Sequence, residues 1–131
     1  MTSQLAGKRI LIIEDEPAIA GHLAFQMTAE GAEVIGPVAS ADAALDEIAN
    51  THNLDGATLD IKLLGKMTFA VADALAAHNI PFVFLTGYRA QDVPARYSNV
   101  PCCEKPLTPA AVCHTLEAVL SLPRLDKPRT P

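Results

Sequence analysis

Five polar residues stand where short apolar runs end, and together they could bind a hard divalent cation and accept a phosphoryl group. Glu14 and Asp15 follow Arg9-Ile10-Leu11-Ile12-Ile13. Asp60 closes Ala57-Thr58-Leu59, and Thr86 closes Pro81-Phe82-Val83-Phe84-Leu85. Lys105 follows Val100-Pro101-Cys102-Cys103-Glu104 and precedes Pro106. In an open parallel sheet, ligands bind beyond the carboxyl ends of the strands. If these runs are strands of one such sheet, three carboxylates, a hydroxyl and an ammonium meet in one crevice.

Acids crowded into a few ångströms repel one another and resist full ionisation. A bound Mg²⁺ or Mn²⁺ removes that conflict. Mg²⁺ prefers octahedral oxygen coordination, with one or two carboxylates, waters and phosphate oxygens. Asp15 and Asp60 suit direct ligation, Glu14 suits a contact through water, and the backbone carbonyl of Lys62 completes the set. Asp60 is also the candidate nucleophile, because carboxylates form acyl phosphates. Phosphoryl transfer needs positioning and charge neutralisation more than a special acid or base. The cation and the Lys105 ammonium would neutralise phosphoryl oxygens, and the Thr86 hydroxyl would donate a hydrogen bond to one. Singly, each residue reads as a solvated loop, a cap or a turn. The weight lies in their joint order along the chain.

The elements that must position them alternate. Arg9 to Ile13 reads as a strand buried on both faces. Pro17 suits the first turn of a helix, with Ile19, Leu23 and Met27 on one face and Ala20 and Ala24 beside them. Gly31 ends it. Ala32 to Val38 is the second strand, interrupted at Gly36-Pro37. Ser40 is a candidate N-cap for a helix with Leu45, Ile48 and Ala49 as its stripe. Asp55-Gly56 is a turn before the third strand. A loop over 61–65 precedes a helix from about Lys66 to Ala77, with Ala70, Val71, Ala74 and Leu75 inward. Pro81 to Leu85 is the fourth strand. The 87–99 segment contains Pro94 and supports at most a short, poorly formed fourth helix. Val100 to Cys103 is the fifth strand. Thr108-Pro109 starts the last helix, with Val112, Leu116, Val119 and Leu120 buried. This alternation predicts an α/β fold: a five-stranded parallel sheet in order 2-1-3-4-5 with helices on both faces. Asp15 and Asp60 then become neighbours.

The 131 residues suit one domain, expected over 1–122, with a Pro-rich tail at 123–131. Half the chain is hydrophobic, which is enough for a core. The formal net charge of −5, without a basic block, argues against a nucleic-acid partner. No secretory signal opens the sequence and no apolar stretch approaches a membrane span, so a cytoplasmic protein without membrane contact is expected. Cys102, Cys103 and Cys113 lack C-x-x-C spacing and read as thiols packed like small hydrophobes.

With these residues in place, the chain resembles a response-regulator receiver domain, the phosphoacceptor half of two-component signalling. The likeness spans roughly Arg9 to Leu122. It is carried by Leu11-Ile12-Ile13-Glu14-Asp15-Glu16-Pro17, Leu59-Asp60-Ile61, Leu85-Thr86-Gly87-Tyr88 and Lys105-Pro106-Leu107. The resemblance makes Glu14 and Asp15 the acidic pair, Asp60 the phosphorylation site, Thr86 the switch hydroxyl and Lys105 the lysine of the site. It also implies a cis Lys105–Pro106 bond. Most receivers carry an aromatic residue three positions before the lysine, whose rotation follows phosphorylation. Here that position is Cys102, so the threonine–aromatic coupling cannot operate in its usual form. Phe84-Leu85-Thr86-Gly87-Tyr88 and the short span from Thr86 to Lys105 resemble the FAT GUY subgroup. Cys102 and Tyr88 are then the candidates for a switch and partner surface.

The resemblance implies a histidine kinase, possibly of the HWE or HisKA2 class, or a histidine phosphotransfer protein as the phosphoryl donor. It implies a monomer or weak homodimer that phosphorylates and dephosphorylates itself but is not a turnover enzyme. With no output module expected after Leu122, a stand-alone receiver would act as a diffusible output, a relay intermediate or a phosphate sink. Two other readings use the same residues. A degenerate receiver acting as a binding module would usually lack the aspartate or lysine, and both are present. An aspartate-nucleophile phosphatase of the haloacid-dehalogenase type needs a second Asp two residues after the nucleophile, where Lys62 stands. A flavodoxin-like cofactor binder is disfavoured by Glu14-Asp15-Glu16, which would repel a cofactor phosphate.

Overall fold

The computed structural model describes residues 3–87 and 93–121. The elements run β1 (Arg9–Ile13), α1 (Pro17–Ala29), β2 (Glu33–Val38), α2 (Ala41–Asn50), β3 (Gly56–Asp60), β4 (Lys62–Leu63), β5 (Lys66–Met67), α3 (Phe69–Ala77), β6 (Phe82–Thr86), β7 (Cys102–Glu104) and α4 (Pro109–Ser121). One sheet has the order β2-β1-β3-β6-β7, and its strand pairs are all parallel. Counting its strands alone, this is the expected 2-1-3-4-5 order. The central strands β1, β3 and β6 are almost wholly buried because both their faces are covered. Leu11, Ile13, Ala57, Leu59, Phe82 and Phe84 meet α2 and α3 on one side. Ile10, Ile12, Val83 and Leu85 meet α1 and α4 on the other.

The helices begin for local reasons. Pro17 occupies the first turn of α1, where its missing N–H costs no helical bond. The Ser40 hydroxyl accepts the Ala43 N–H at 3.1 Å and caps α2. Two buried stripes differ from expectation by one position. In α2, Ala44 is buried and Ala49 exposed; in α3, Ala72 is buried and Ala70 exposed. With small alanines at adjacent positions, helical periodicity leaves the stripe's edge ambiguous, and packing decides it.

The largest correction falls after β3. The expected loop over 61–65 and helix start near Lys66 are replaced by a small antiparallel hairpin, β4–β5, and α3 begins only at Phe69. Leu64 and Gly65 at its tip both have positive φ, 50° and 82°, as two-residue hairpins of type I′ require. Leucine pays for that backbone with strain, so Leu-Gly gives a much weaker sequence signal than Asn-Gly. In the 87–99 segment, a single 3₁₀ turn spans Ala95–Tyr97, in keeping with the expected short helix among the described residues. Tyr88 lies outside the described residues, as do Leu122 and the expected 123–131 tail.

The N-terminal segment also contributes more than its sequence suggested. Leu5 is fully buried beside Leu23, Met27 and Leu116. The Ser3 hydroxyl meets Glu30 after α1 and Glu117 of α4. Cys102, Cys103 and Cys113 are free thiols. Cys113 is buried, whereas Cys102 and Cys103 are half-buried on opposite layers of the sheet.

Candidate functional site

The carboxyl ends of β1, β3, β6 and β7 surround a cleft of about 420 Å³. Asp15, Asp60, Lys62, Thr86 and Lys105 all line it, joined by Glu16, Leu64 and Gly65. Parallel pairing causes the convergence: Ile13 lies opposite Leu59, and Asp60 opposite Leu85. The residues just past β1 and β6 therefore flank the end of β3. Glu14 sits beneath them, with only 2% of its surface exposed.

One oxygen from each of Glu14, Asp15 and Asp60 lies within 4.8 Å of the others. Asp60 is 1% exposed. The Lys105 ammonium bridges the acids, donating to Glu14 Oε2 at 3.3 Å, to Asp60 Oδ2 at 3.4 Å and to Glu16 Oε1 at 2.9 Å. Glu16 gives Lys105 its shortest contact, a partnership not expected from its place in Glu14-Asp15-Glu16. The only available signal was its place two residues past Glu14. Pro106 follows Lys105 through a cis peptide bond, in line with the resemblance.

Charge in the cleft is unbalanced. Burial first, and then the neighbouring Glu14 carboxyl, pushes the Asp60 carboxyl up to about 9. Lys105 opposes this and is outweighed. Lys105 itself is held above the ordinary lysine range: burial would lower it, but Glu16, Asp60 and Glu14 together raise it further. Asp15 behaves oppositely to Asp60. Burial works to raise it, but the Leu64 N–H at 2.9 Å, its own backbone N–H, Glu14 and Lys105 hold it below the usual aspartate value.

Two oxygens decide whether a cation fits. Glu14 Oε1 and Asp60 Oδ1 are buried and have no hydrogen-bond partner among the described residues. An unpartnered buried carboxylate oxygen is costly. A hard cation takes oxygen ligands of this kind, so the donor set fits Mg²⁺ or Mn²⁺. Asp15 and Asp60 belong to the oxygen cluster, and Lys62 lines the same cleft.

Thr86 is buried at the end of β6, and its carbonyl accepts the Lys105 N–H at 2.8 Å. Cys102 stands apart from the cleft, opposite Phe84 on the layer that holds α2 and α3. Tyr97 lies on that layer too, within a cluster of aromatic rings. It packs against Phe69, Phe82 and Phe84 at centroid distances of 5.9–6.5 Å, and its hydroxyl bonds Asp73 of α3. A lone tyrosine in a Pro94–Val100 loop gave no sequence signal for this.

No protein-family model matches the chain. It is 27% identical over 113 residues to the transcriptional regulatory protein PdtaR of Mycobacterium tuberculosis, covering 86% of the chain. The chain spans about half the length of the PdtaR relatives, 55%. Among solved structures, SdrG from Sphingomonas melonis Fr1 is similar at 37% identity with a TM-score of 0.76, over 92% of this chain and 100% of that one. A second SdrG structure, of its BeF3-activated conformation, is similar at 36% identity and a TM-score of 0.72, over 92% and 99%. A CheY-like response regulator receiver domain protein from Methanospirillum hungatei JF-1 is similar at 26% identity and a TM-score of 0.76, over 88% and 94%.

Proposed function

The chain belongs to the response-regulator receiver family, and on that premise we propose that Asp60 accepts a phosphoryl group from a phosphohistidine in a reaction dependent on Mg²⁺ or Mn²⁺. The observation that carries the proposal is the pair of orphaned, buried oxygens on Glu14 and Asp60 beside a single ammonium. When bound, the cation supplies the positive charge that lets Asp60 ionise and that neutralises phosphoryl oxygens. Asp15, Asp60 and the Lys62 carbonyl would hold it directly, with Glu14 acting through water.

The chain's own residues then have distinct tasks. An ionised oxygen of Asp60 attacks phosphorus, forming the P–O bond of an acyl phosphate. The P–N bond breaks, and its electron pair leaves with the imidazole nitrogen, which takes a proton from solvent. Lys105 stands within reach of the Asp60 carboxylate and neutralises charge on the transferred group. Thr86 donates a hydrogen bond to a phosphoryl oxygen. The BeF3-activated conformation of SdrG supports a phosphoryl-sized occupant, since BeF3 on a carboxylate oxygen has the shape of a tetrahedral acyl phosphate.

In this reading the chain is a phosphoacceptor that carries out its own phosphorylation and dephosphorylation, not a turnover enzyme. The donor is a histidine kinase or phosphotransfer protein. The FAT GUY likeness favours a kinase of the HWE or HisKA2 class, with output through protein contacts, relay or phosphate-sink action. Among the described residues no helix is long and apolar enough to cross a membrane. The test is intact-mass measurement after mixing the protein with a small phosphodonor and Mg²⁺. A gain of one phosphoryl mass, absent without the cation and in Asp60→Asn, is expected. Equal labelling of Asp60→Asn would assign the acceptor elsewhere.

A further inference from the structure

Thr68 is 1% exposed and stands at the N-cap position of α3. A threonine there ordinarily accepts a backbone N–H from its own helix. This one makes no side-chain cap. Its hydroxyl turns back to the end of β3, meeting the carbonyl of Asp60 and, at 3.0 Å, that of Ile61. Its backbone N–H also donates to the Ile61 carbonyl at 2.9 Å. The helix forgoes a cap so that the backbone of Asp60 is tied to the base of the β4–β5 hairpin.

The consequence reaches the cleft. Between the two ends of that tie lie Lys62, which lines the cleft, and Leu64, whose N–H donates to Asp15 Oδ2 at 2.9 Å. The hairpin has only two residues in each strand, and Leu64 at its tip holds a positive φ of 50°. A two-stranded ribbon of that length is not stable alone, and a leucine in the left-handed region persists only where its surroundings enforce it. The closure at Thr68 is a buried polar contact among those that hold it.

We propose that Thr68 is a positioning residue for the cation and for phosphoryl uptake at Asp60, acting through the Asp60 carbonyl and through the hairpin that presents Lys62 and Leu64. This rests on the phosphoacceptor reading of Asp60 given above. Thr68 touches neither the cation nor the reacting atoms. Its hydroxyl fixes the place where β3 leaves the sheet.

The test compares Thr68→Val, which keeps the shape without the hydroxyl, with Thr68→Ser, which keeps the hydroxyl. Three quantities are read on the full chain. They are hydrogen exchange of the Leu64 amide without metal, Mg²⁺ affinity by calorimetry, and the rate of labelling by acetyl phosphate. Thr68→Val should exchange Leu64 faster and bind Mg²⁺ about tenfold more weakly, as loss of a group supporting metal ligands typically does. Labelling should slow by about tenfold or more, because sub-ångström misplacement is costly in phosphoryl transfer. Thr68→Ser should return all three to near the wild-type values. If Thr68→Val folds poorly, Thr68→Ala serves as the hydroxyl-free variant. A hydroxyl-free variant that melts earlier yet keeps wild-type Leu64 exchange, Mg²⁺ affinity and labelling would overturn the proposal. So would a folded Thr68→Ser that behaves like Thr68→Val. Wild-type protein that binds Mg²⁺ but never labels would overturn the phosphoacceptor reading instead, while exchange and affinity still decide whether Thr68 shapes the cleft.

Discussion

Asp60 and Asp73 are two aspartates in opposite circumstances. Asp60 is buried in the cleft, leaves one oxygen unpartnered, and has its carboxyl pushed up to about 9, first by burial and then by Glu14. Asp73 sits on the outer part of α3 and is fully served by its own chain. The Tyr97 hydroxyl bonds it, and Arg96 reaches it at 3.1 and 3.3 Å while lying over the Tyr97 ring at 4.9 Å. The Tyr97 hydrogen bond, then Arg96, hold Asp73 below the usual range. Satisfied polar groups fasten one element to another. Unsatisfied buried ones cost stability and persist where another species completes them. The cleft is built at a cost to folding, whereas the Asp73 corner contributes to it.

Asp60→Asn should break this contrast most sharply. Phosphoryl labelling should vanish in intact-mass measurements. Without metal, the variant should melt several degrees higher at neutral pH, because a neutral amide relieves the crowded acids. The sign follows from linkage. With the folded pKa raised, the stabilising contribution of Asp60 is complete below the unfolded value near 3.8 and is lost as pH rises toward about 9. The melting advantage of Asp60→Asn should therefore grow from pH 4 to pH 9. An advantage that is flat with pH would show that Asp60 is not the strained acid.

Lys105→Met should come next. It leaves Glu14 and Asp60 buried without their cation, a loss of about 3 kcal/mol in metal-free denaturation experiments. Saturating Mg²⁺ should recover part of it. In wild-type protein, Mg²⁺ at a hundred times its dissociation constant should add about 2.7 kcal/mol, an increment that Asp15→Ala should lose. Equal Mg²⁺ stabilisation of Asp15→Ala would place the metal elsewhere.

The Asp73 corner should respond more mildly. Tyr97→Phe keeps the aromatic packing and removes one hydrogen bond to a charged acceptor, so a small loss of stability is expected in urea titration. Mg²⁺ affinity should not change. The stabilising contribution of Asp73 is present above its unfolded value and is lost as pH falls through its depressed folded value. Tyr97→Phe should therefore flatten the acid limb of the stability curve, and an unchanged acid limb would remove the hydroxyl from that role.

The smallest effect should come from Thr58, whose buried hydroxyl at mid-strand has no partner among the described residues. Thr58→Val, similar in shape and without an unsatisfied group, should stabilise the protein by about 1 kcal/mol. Set beside a destabilising Thr68→Val, it separates an idle buried hydroxyl from one that holds the cleft together.

The alternation of elements and the sheet order were legible in the residues alone, because continuous apolar runs mark strands covered on both faces and right-handed crossovers leave few topologies. The sequence also placed Glu14, Asp15, Asp60, Thr86 and Lys105 at one end, since each follows a strand and parallel strands end on the same side. Tertiary structure alone decided the rest. The Leu64-Gly65 hairpin defeats local propensity because its closing bonds run from Thr68 back to Asp60 and Ile61. Glu16 becomes a partner of Lys105, and Leu5 enters the core, only once residues distant in sequence are brought together. Tyr97 meets Asp73 for the same reason. The unequal fates of Asp15 and Asp60 were invisible for a related one. Residue type gives both the same charge, but burial, neighbouring charge and donated hydrogen bonds set what that charge costs, and all three are properties of the folded chain.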